Sequence, residues 1–146
     1  MILVVDASVA IKWFVEEPLR PQARKLLADR HEFVEPDLLV AEVANIAWKK
    51  TVRGEIQPEQ ARSIVQNIAL PPFVSTFVES STLRDRALAL ALQWNHPVYD
   101  CFYASCAEAI GAPFVSADEK FLRLLKTHGS PIQTVSLAHT QTLASS

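Results

Sequence analysis

The chain opens on an unbroken apolar run, Ile2-Leu3-Val4-Val5, that stops at Asp6. Apolar at every position rather than at alternate ones, so short a run predicts a strand buried on both faces of a parallel sheet. Ser8 to Val15 reads as a helix, and Pro18 and Pro21 bracket the entry to another over about Gln22 to Asp29. His31 to Val34 predicts a second strand. Beyond Pro36, Asp37 stands as N-cap of a long helix in which Leu39, Val43 and Ile46 fall on adjacent turns, ending near Gly54. Pro58 opens the next helix, which runs to about Leu70.

The second half repeats the alternation. Phe73 to Val78 predicts a strand, Leu83 to Trp94 a helix, and Pro97 to Ile110 another helix ended by Gly111. Pro113 to Ser116 is a short strand, Asp118 to Lys126 a helix, and Ile132 to Val135 a last strand. Strands alternating with helices predict an α/β fold with a mostly parallel sheet covered by helices on both faces; only 3 glycines speak against an all-β chain. One domain over residues 1–139 is expected, followed by a polar tail, 140–146, that frays.

Composition narrows the partners. With 146 residues, 49% hydrophobic and 21% charged, one self-sufficient core is expected. A net charge of −2 leaves any anionic substrate to be met by a local basic patch or by bound cations. The N-terminus carries no signal-peptide pattern and no apolar run reaches the roughly 18 residues of a membrane span, so a soluble cytoplasmic protein is expected. Cys101 and Cys106 fit neither a redox pair nor a zinc site and read as core thiols. His31, His96, His128 and His139 are scattered without metal-ligand spacing, so neither zinc nor a general-base histidine is expected.

Carboxylates remain as the candidate chemistry. In an open parallel sheet functional groups gather beyond the carboxyl ends of the strands, and both Asp6 and Asp118 follow strands there. Helix capping explains either one alone, and Ser116 with Glu119 resembles a capping box. Glu42 is flanked on its helix by Leu38, Leu39 and Ile46, which sets a charge at the edge of an apolar face. It needs a lysine, an arginine or a metal. Asp100, beside Tyr99 and Cys101-Phe102-Tyr103, raises the same question at a helix start. Four carboxylates brought together would repel one another unless a cation held them ionised, and an all-oxygen set suits Mg²⁺ or Mn²⁺.

Four ordered segments carry a family resemblance: Val4-Val5-Asp6-Ala7-Ser8-Val9, Ala41-Glu42-Val43-Ala44-Asn45, Tyr99-Asp100-Cys101-Phe102-Tyr103-Ala104 and Phe114-Val115-Ser116-Ala117-Asp118-Glu119-Lys120-Phe121. Over nearly the whole chain these resemble the motifs of PIN-domain ribonucleases of the VapC toxin type. Ser116 stands where that family often has threonine, and the hydroxyl is retained. The resemblance implies a three-layer α/β/α fold with a sheet of four to five strands, on one edge of which Asp6, Glu42, Asp100 and Asp118 meet. It implies RNA as substrate, Mg²⁺ or Mn²⁺ as cofactor and a cognate VapB-like antitoxin. Asp6 and Asp118 are then the principal metal ligands, Glu42 and Asp100 complete the site, and Ser8 and Ser116 support it or touch substrate.

Lys12, Lys49, Lys50, Arg53, Lys120 and Arg123 are candidate contacts to RNA phosphates. The apolar residues Trp48, Ile64, Ile68 and Phe73 predict a homodimer, and Trp13 and Phe14 are expected to meet the antitoxin. Two other functions compete. A phosphatase or phosphotransferase would use Asp6 as nucleophile, although the haloacid-dehalogenase-like enzymes place a second aspartate where this chain has Ser8. A catalytically silent protein-interaction domain would keep the fold and use the acids as caps.

Overall fold

Leu3, Val4 and Val5 are fully buried, as a strand covered on both faces must be. They lie in β1 (Ile2–Val5), the middle strand of a sheet in a computed structural model that describes residues 1–143. Around it stand β2 (Glu32–Pro36), β3 (Val74–Val78), β4 (Phe114–Ser116) and β5 (Thr134–Ser136), all paired in parallel in the order β3-β2-β1-β4-β5. Parallel neighbours require crossovers. These are α1 (Ala7–Ala10), α2 (Arg20–Ala28), α3 (Leu38–Val52), α4 (Pro58–Asn67), α5 (Ser80–Trp94), α6 (Val98–Ile110) and α7 (Glu119–Thr127), arranged on both sides of the sheet. The core is continuous through both layers and includes Trp13, Phe33, Tyr103, Phe114 and Phe121, all about fully buried.

The strand order locates the crevice. From β1 the chain steps outward to β2 and β3, then returns to the opposite side of β1 for β4 and β5. Segments leaving the carboxyl ends of β1 and β4 therefore diverge, which is where open α/β sheets leave room for a ligand. Among the described residues no helix is long and apolar enough to cross a membrane.

Several elements depart from the sequence pattern. The helix expected over Ser8 to Val15 is divided: α1 ends at Ala10 and a tighter 3-10 turn covers Ile11–Trp13. Val9, Ala10, Ile11, Trp13 and Val15 are all buried, so the segment is enclosed on several sides, and the Trp13 indole N–H reaches the Ala23 carbonyl at 3.1 Å. Strand β2 continues through Glu35 to Pro36, where the missing N–H of proline matters least. Asp37 does not cap α3 with its side chain; it accepts the Ser80 N–H at 3.1 Å and ties the starts of α3 and α5 together. The tail expected to fray from Thr140 is ordered at first, because 3-10 turns over Leu137–Thr142 follow the fully buried Leu137. Residues 144–146 of that tail lie outside the described residues.

Candidate active site

Asp6 leaves β1 at the crevice. Val5 pairs with Val115, so the next residue along each strand, Asp6 and Ser116, stand side by side. Ser116 Oγ donates to Asp6 Oδ2 at 2.5 Å, and Ser8 Oγ donates to Oδ1 at 2.5 Å. The Val9 N–H also reaches Oδ1, at 3.3 Å, which makes Asp6 the cap of α1 as well. Both serine hydroxyls accept in turn: Ser116 from the Asp118 N–H at 2.9 Å, Ser8 from the Ala117 N–H at 3.3 Å. A chain Asp6–Ser116–Asp118 thus stitches the ends of β1 and β4.

Burial pushes the Asp6 carboxyl up to about 6; the Ser116 and Ser8 hydrogen bonds oppose this and the charge of Asp100 adds to it. Asp118, exposed at the start of α7, accepts the Phe121 N–H at 3.1 Å and is the cap of that helix. Capping is therefore real for both aspartates, and each keeps its place at the crevice while capping. The capping box expected from Ser116 and Glu119 does not form; Glu119 takes the Ser136 hydroxyl and Ser116 is fully buried beneath the site.

The other two acids approach from helices. Asp100, in the first turn of α6, meets His96 Nε2 through Oδ2 at 2.7 Å. The His96 ring lies against Phe121 of α7, centroids 4.9 Å apart and planes 25° from parallel. Glu42, half-buried on α3, accepts the Tyr103 hydroxyl at 2.5 Å. Burial raises its carboxyl above the usual glutamate value; Tyr103 opposes this and Asp100 reinforces it. Burial, then the charge of Glu42, in turn lift the Tyr103 phenol far above its usual value. The partner of Glu42 is thus a tyrosine rather than the lysine or arginine expected of a structural ion pair.

Among the described residues no lysine or arginine forms an ion pair with Asp6, Glu42, Asp100 or Asp118. Among them, too, no group of three or more His, Cys, Asp or Glu side chains is placed to hold a metal ion by itself. The arrangement is open, with Asp6 linked to Asp118 through Ser116 and to Asp100 by charge. Hard carboxylate oxygens that, among the described residues, pair with no lysine or arginine fit Mg²⁺ or Mn²⁺, which keep several waters and take few protein ligands. The cysteines do not compete: both are buried and free, and burial drives Cys101 to about 11 and Cys106 to about 12.

Basic candidates divide into two groups. Glu17 clasps Lys12 Nζ at 2.8 Å and Lys50 Nζ at 2.7 Å, so these two lysines are held in an internal network. Lys49, Arg53, Lys120 and Arg123 are exposed and, among the described residues, form no ion pair. Trp13, expected to meet a partner, is about fully buried, and Phe14 packs on Phe73 with centroids 4.6 Å apart. Ile64 and Ile68 are core residues, whereas Trp48 is 59% exposed.

Sequence reasoning passed over His96, Tyr103 and Glu35. The signals were positional: His96 precedes Asp100 by one helical turn, and Tyr103 follows it by three residues. Glu35 interrupts an apolar strand pattern and is completely buried, with burial holding its carboxyl well above the usual range.

Comparison with known proteins agrees with this fold. A sequence model of the PIN domain matches residues 3–126. The chain is 35% identical over 134 residues to Ribonuclease VapC3 of Pyrobaculum aerophilum, covering 86% of this chain and 98% of the relative. The fold resembles VapBC2 of Rickettsia felis, solved bound to a DNA fragment from its promoter, with a TM-score of 0.63 at 16% identity over 93% of this chain and 98% of that one. It also resembles VapC20 of Mycobacterium tuberculosis, described as a Sarcin-Ricin loop cleaving toxin, with a TM-score of 0.62 at 13% identity over 79% of this chain and 87% of that one. With a family model matched over most of its length and a relative 35% identical across nearly all of that relative's own length, the chain belongs to the PIN-domain family.

Proposed function

We propose that this chain is a divalent-metal-dependent endoribonuclease and the toxin of a toxin–antitoxin pair. The observation that carries the reading is the hydrogen-bonded Asp6–Ser116–Asp118 chain at the strand crevice, with Asp100 pressing its charge on both Asp6 and Glu42 and, among the described residues, no lysine or arginine paired with them. The curated relative, itself called a ribonuclease and matched over 98% of its length, supports the same conclusion.

Asp6 and Asp118 would hold Mg²⁺ or Mn²⁺, with Asp100 and Glu42 completing the set. Bound there, such an ion would supply a water of lowered pKa and electrostatic stabilisation for phosphodiester hydrolysis. The protein's own groups do the rest. Ser8 and Ser116 orient the Asp6 carboxylate, one on each oxygen. Tyr103 holds one oxygen of Glu42, leaving the other to take a proton from the attacking water; a carboxylate of raised basicity suits that task. His96 holds Asp100 and braces it against α7. Lys49, Arg53, Lys120 and Arg123 meet the flanking phosphates, a role that the paired Lys12 and Lys50 do not share.

RNA meets the enzyme in the cytoplasm, and so does its antitoxin. An antitoxin segment with apolar side chains and one arginine or lysine directed at the acids would satisfy the same negative cluster, so one contact both binds and inhibits. A second copy of the chain would cover Trp48, Val52 and Val65, the exposed apolar residues of α3 and α4. The decisive experiment is RNA cleavage by purified protein with Mg²⁺ or Mn²⁺, repeated in excess EDTA. Undiminished cleavage in EDTA overturns the metal-dependent reading. Light scattering at micromolar concentration tests the dimer, and a monomeric mass refutes it; growth arrest unrelieved by the adjacent reading frame refutes the antitoxin pairing.

A further inference from the structure

Backbone pairing between β1 and β2 extends from Ile2 opposite Glu32 to Leu3 opposite Phe33 and no further, and the register of β2 against β3 shifts between Phe33 and Val34. On the other side of β1 the ladder continues: the Val4 N–H donates to the Pro113 carbonyl at 3.0 Å, and Val5 remains opposite Val115. Successive N–H groups of a strand point to opposite sides, so the Val5 N–H faces β2 where the regular pairing has stopped. It donates to a side chain, reaching both carboxyl oxygens of Glu35 at 3.1 and 3.0 Å.

Glu35 is completely buried, and among the described residues no lysine or arginine pairs with it. Its burial is unfavourable for a carboxyl, and an apolar side chain would fill such a space more favourably. A carboxyl supplies an acceptor that a leucine lacks, for a buried N–H that needs one. That N–H belongs to the residue immediately before Asp6.

We propose that Glu35 is a positioning residue for Asp6: its carboxyl stands in for a β2 carbonyl at the Val5 N–H, fixes the end of β1, and so sets the line on which Asp6 enters between Ser8 and Ser116. This rests on the reading of Asp6 as a metal-binding carboxylate. Ser8 and Ser116 orient the carboxylate itself, while Glu35 anchors the backbone from which it springs. Burial drives the Glu35 carboxyl toward its neutral form, so glutamine reproduces its acceptor and its charge, whereas leucine reproduces neither acceptor nor polarity.

The test compares the full-length wild type with Glu35→Gln and Glu35→Leu by amide hydrogen exchange at Val5, by the Mn²⁺ concentration giving half of the melting shift, and by kcat and KM on RNA. In Glu35→Leu the Val5 amide should exchange at least about tenfold faster, and the Mn²⁺ requirement should rise about tenfold. Its kcat should fall about tenfold with KM within about twofold. Glu35→Gln should stay near wild type throughout. Wild-type Val5 protection and Mn²⁺ requirement in Glu35→Leu would overturn the proposal, as would a Gln variant as impaired as the Leu one. Should the Leu variant not fold, the wild type still decides: a Val5 amide exchanging far faster than that of Val4 refutes the bond to Glu35. Failure of the underlying reading looks different, since an Asp6→Asn protein that still cleaves RNA, or a wild type indifferent to Mn²⁺, leaves Val5 protection untouched.

Discussion

Ser116 donates to Asp6 across 110 positions of sequence, and the same oxygen accepts the N–H of Asp118 at 2.9 Å. One small side chain thereby aligns two of the acids. Replacing it by alanine removes the hydrogen bond that most opposes the effect of burial on Asp6 and leaves the Asp118 N–H without its acceptor. Ser116→Ala should lower kcat about tenfold and stability by about 1–2 kcal/mol, and Ser116→Thr should restore most of both. Steady-state kinetics and urea titration check this; equal damage from Ala and Thr would show that space, not the hydroxyl, is what matters.

Asp6→Asn, Asp100→Asn and Asp118→Asn should each reduce RNA cleavage by at least about a hundredfold, because a neutral amide is a poorer ligand for a hard cation. The fold should persist by circular dichroism. Full activity in purified Asp6→Asn protein would sink the proposed chemistry.

Without metal, the acids should make the protein less stable as pH rises. The folded state holds the Asp6 proton up to about 6 against an ordinary 3.8, so between those values it binds more protons than the unfolded chain and loses stability with increasing pH. At roughly 1.4 kcal/mol per unit this is at most about 3 kcal/mol, and Glu42 acts in the same direction. Glu17 works oppositely at lower pH: burial would raise its carboxyl, but Lys12 and Lys50 hold it below the usual value, so its contribution is lost on acidification. Melting curves from pH 4 to 7 should show a decline that Asp6→Asn flattens and Mg²⁺ or Mn²⁺ reverses at the upper end. The same slope in wild type and Asp6→Asn, unaffected by metal, would contradict this account.

Tyr103→Phe deletes the hydroxyl that holds Glu42 while keeping the buried ring. Stability should fall by about 1 kcal/mol, and kcat should fall more than KM changes, since Glu42 would be present but misaligned. A proportional rise in KM with unchanged kcat would place Tyr103 in substrate binding instead.

His96→Phe keeps a ring that can lie on Phe121 and removes the nitrogen that meets Asp100. Activity should drop about tenfold with little change in melting temperature, whereas His96→Gln, which keeps a donor, should retain more. Equal activity in the two variants would leave His96 with a packing role alone.

Much of the fold is legible in local chemistry. Continuous apolar runs such as Ile2 to Val5 suit interior strands, Pro58 opens a helix, and Gly111 closes one with φ near 66°. These are properties of adjacent residues, and the family motifs around Asp6, Glu42, Asp100 and Asp118 are likewise contiguous stretches of chain. Boundaries were less legible where packing overrides propensity, as in the shortened α1 and the structured turns after Leu137.

Only the tertiary structure decided which partners those residues take. Asp6 and Ser116 adjoin because β1 and β4 are neighbours in register, Glu42 meets Tyr103 across two helices, and Val5 depends on Glu35 because the β1–β2 ladder ends early. Trp13, expected to meet the antitoxin, went into the core, and Lys12 and Lys50 were claimed by Glu17. The sequence alone determined most of the strands and helices and marked the four acids as candidates, because backbone hydrogen bonding and hydrophobic periodicity are local. Burial, charge coupling and hydrogen bonds between distant segments depend on distances that exist only once the sheet has closed around β1.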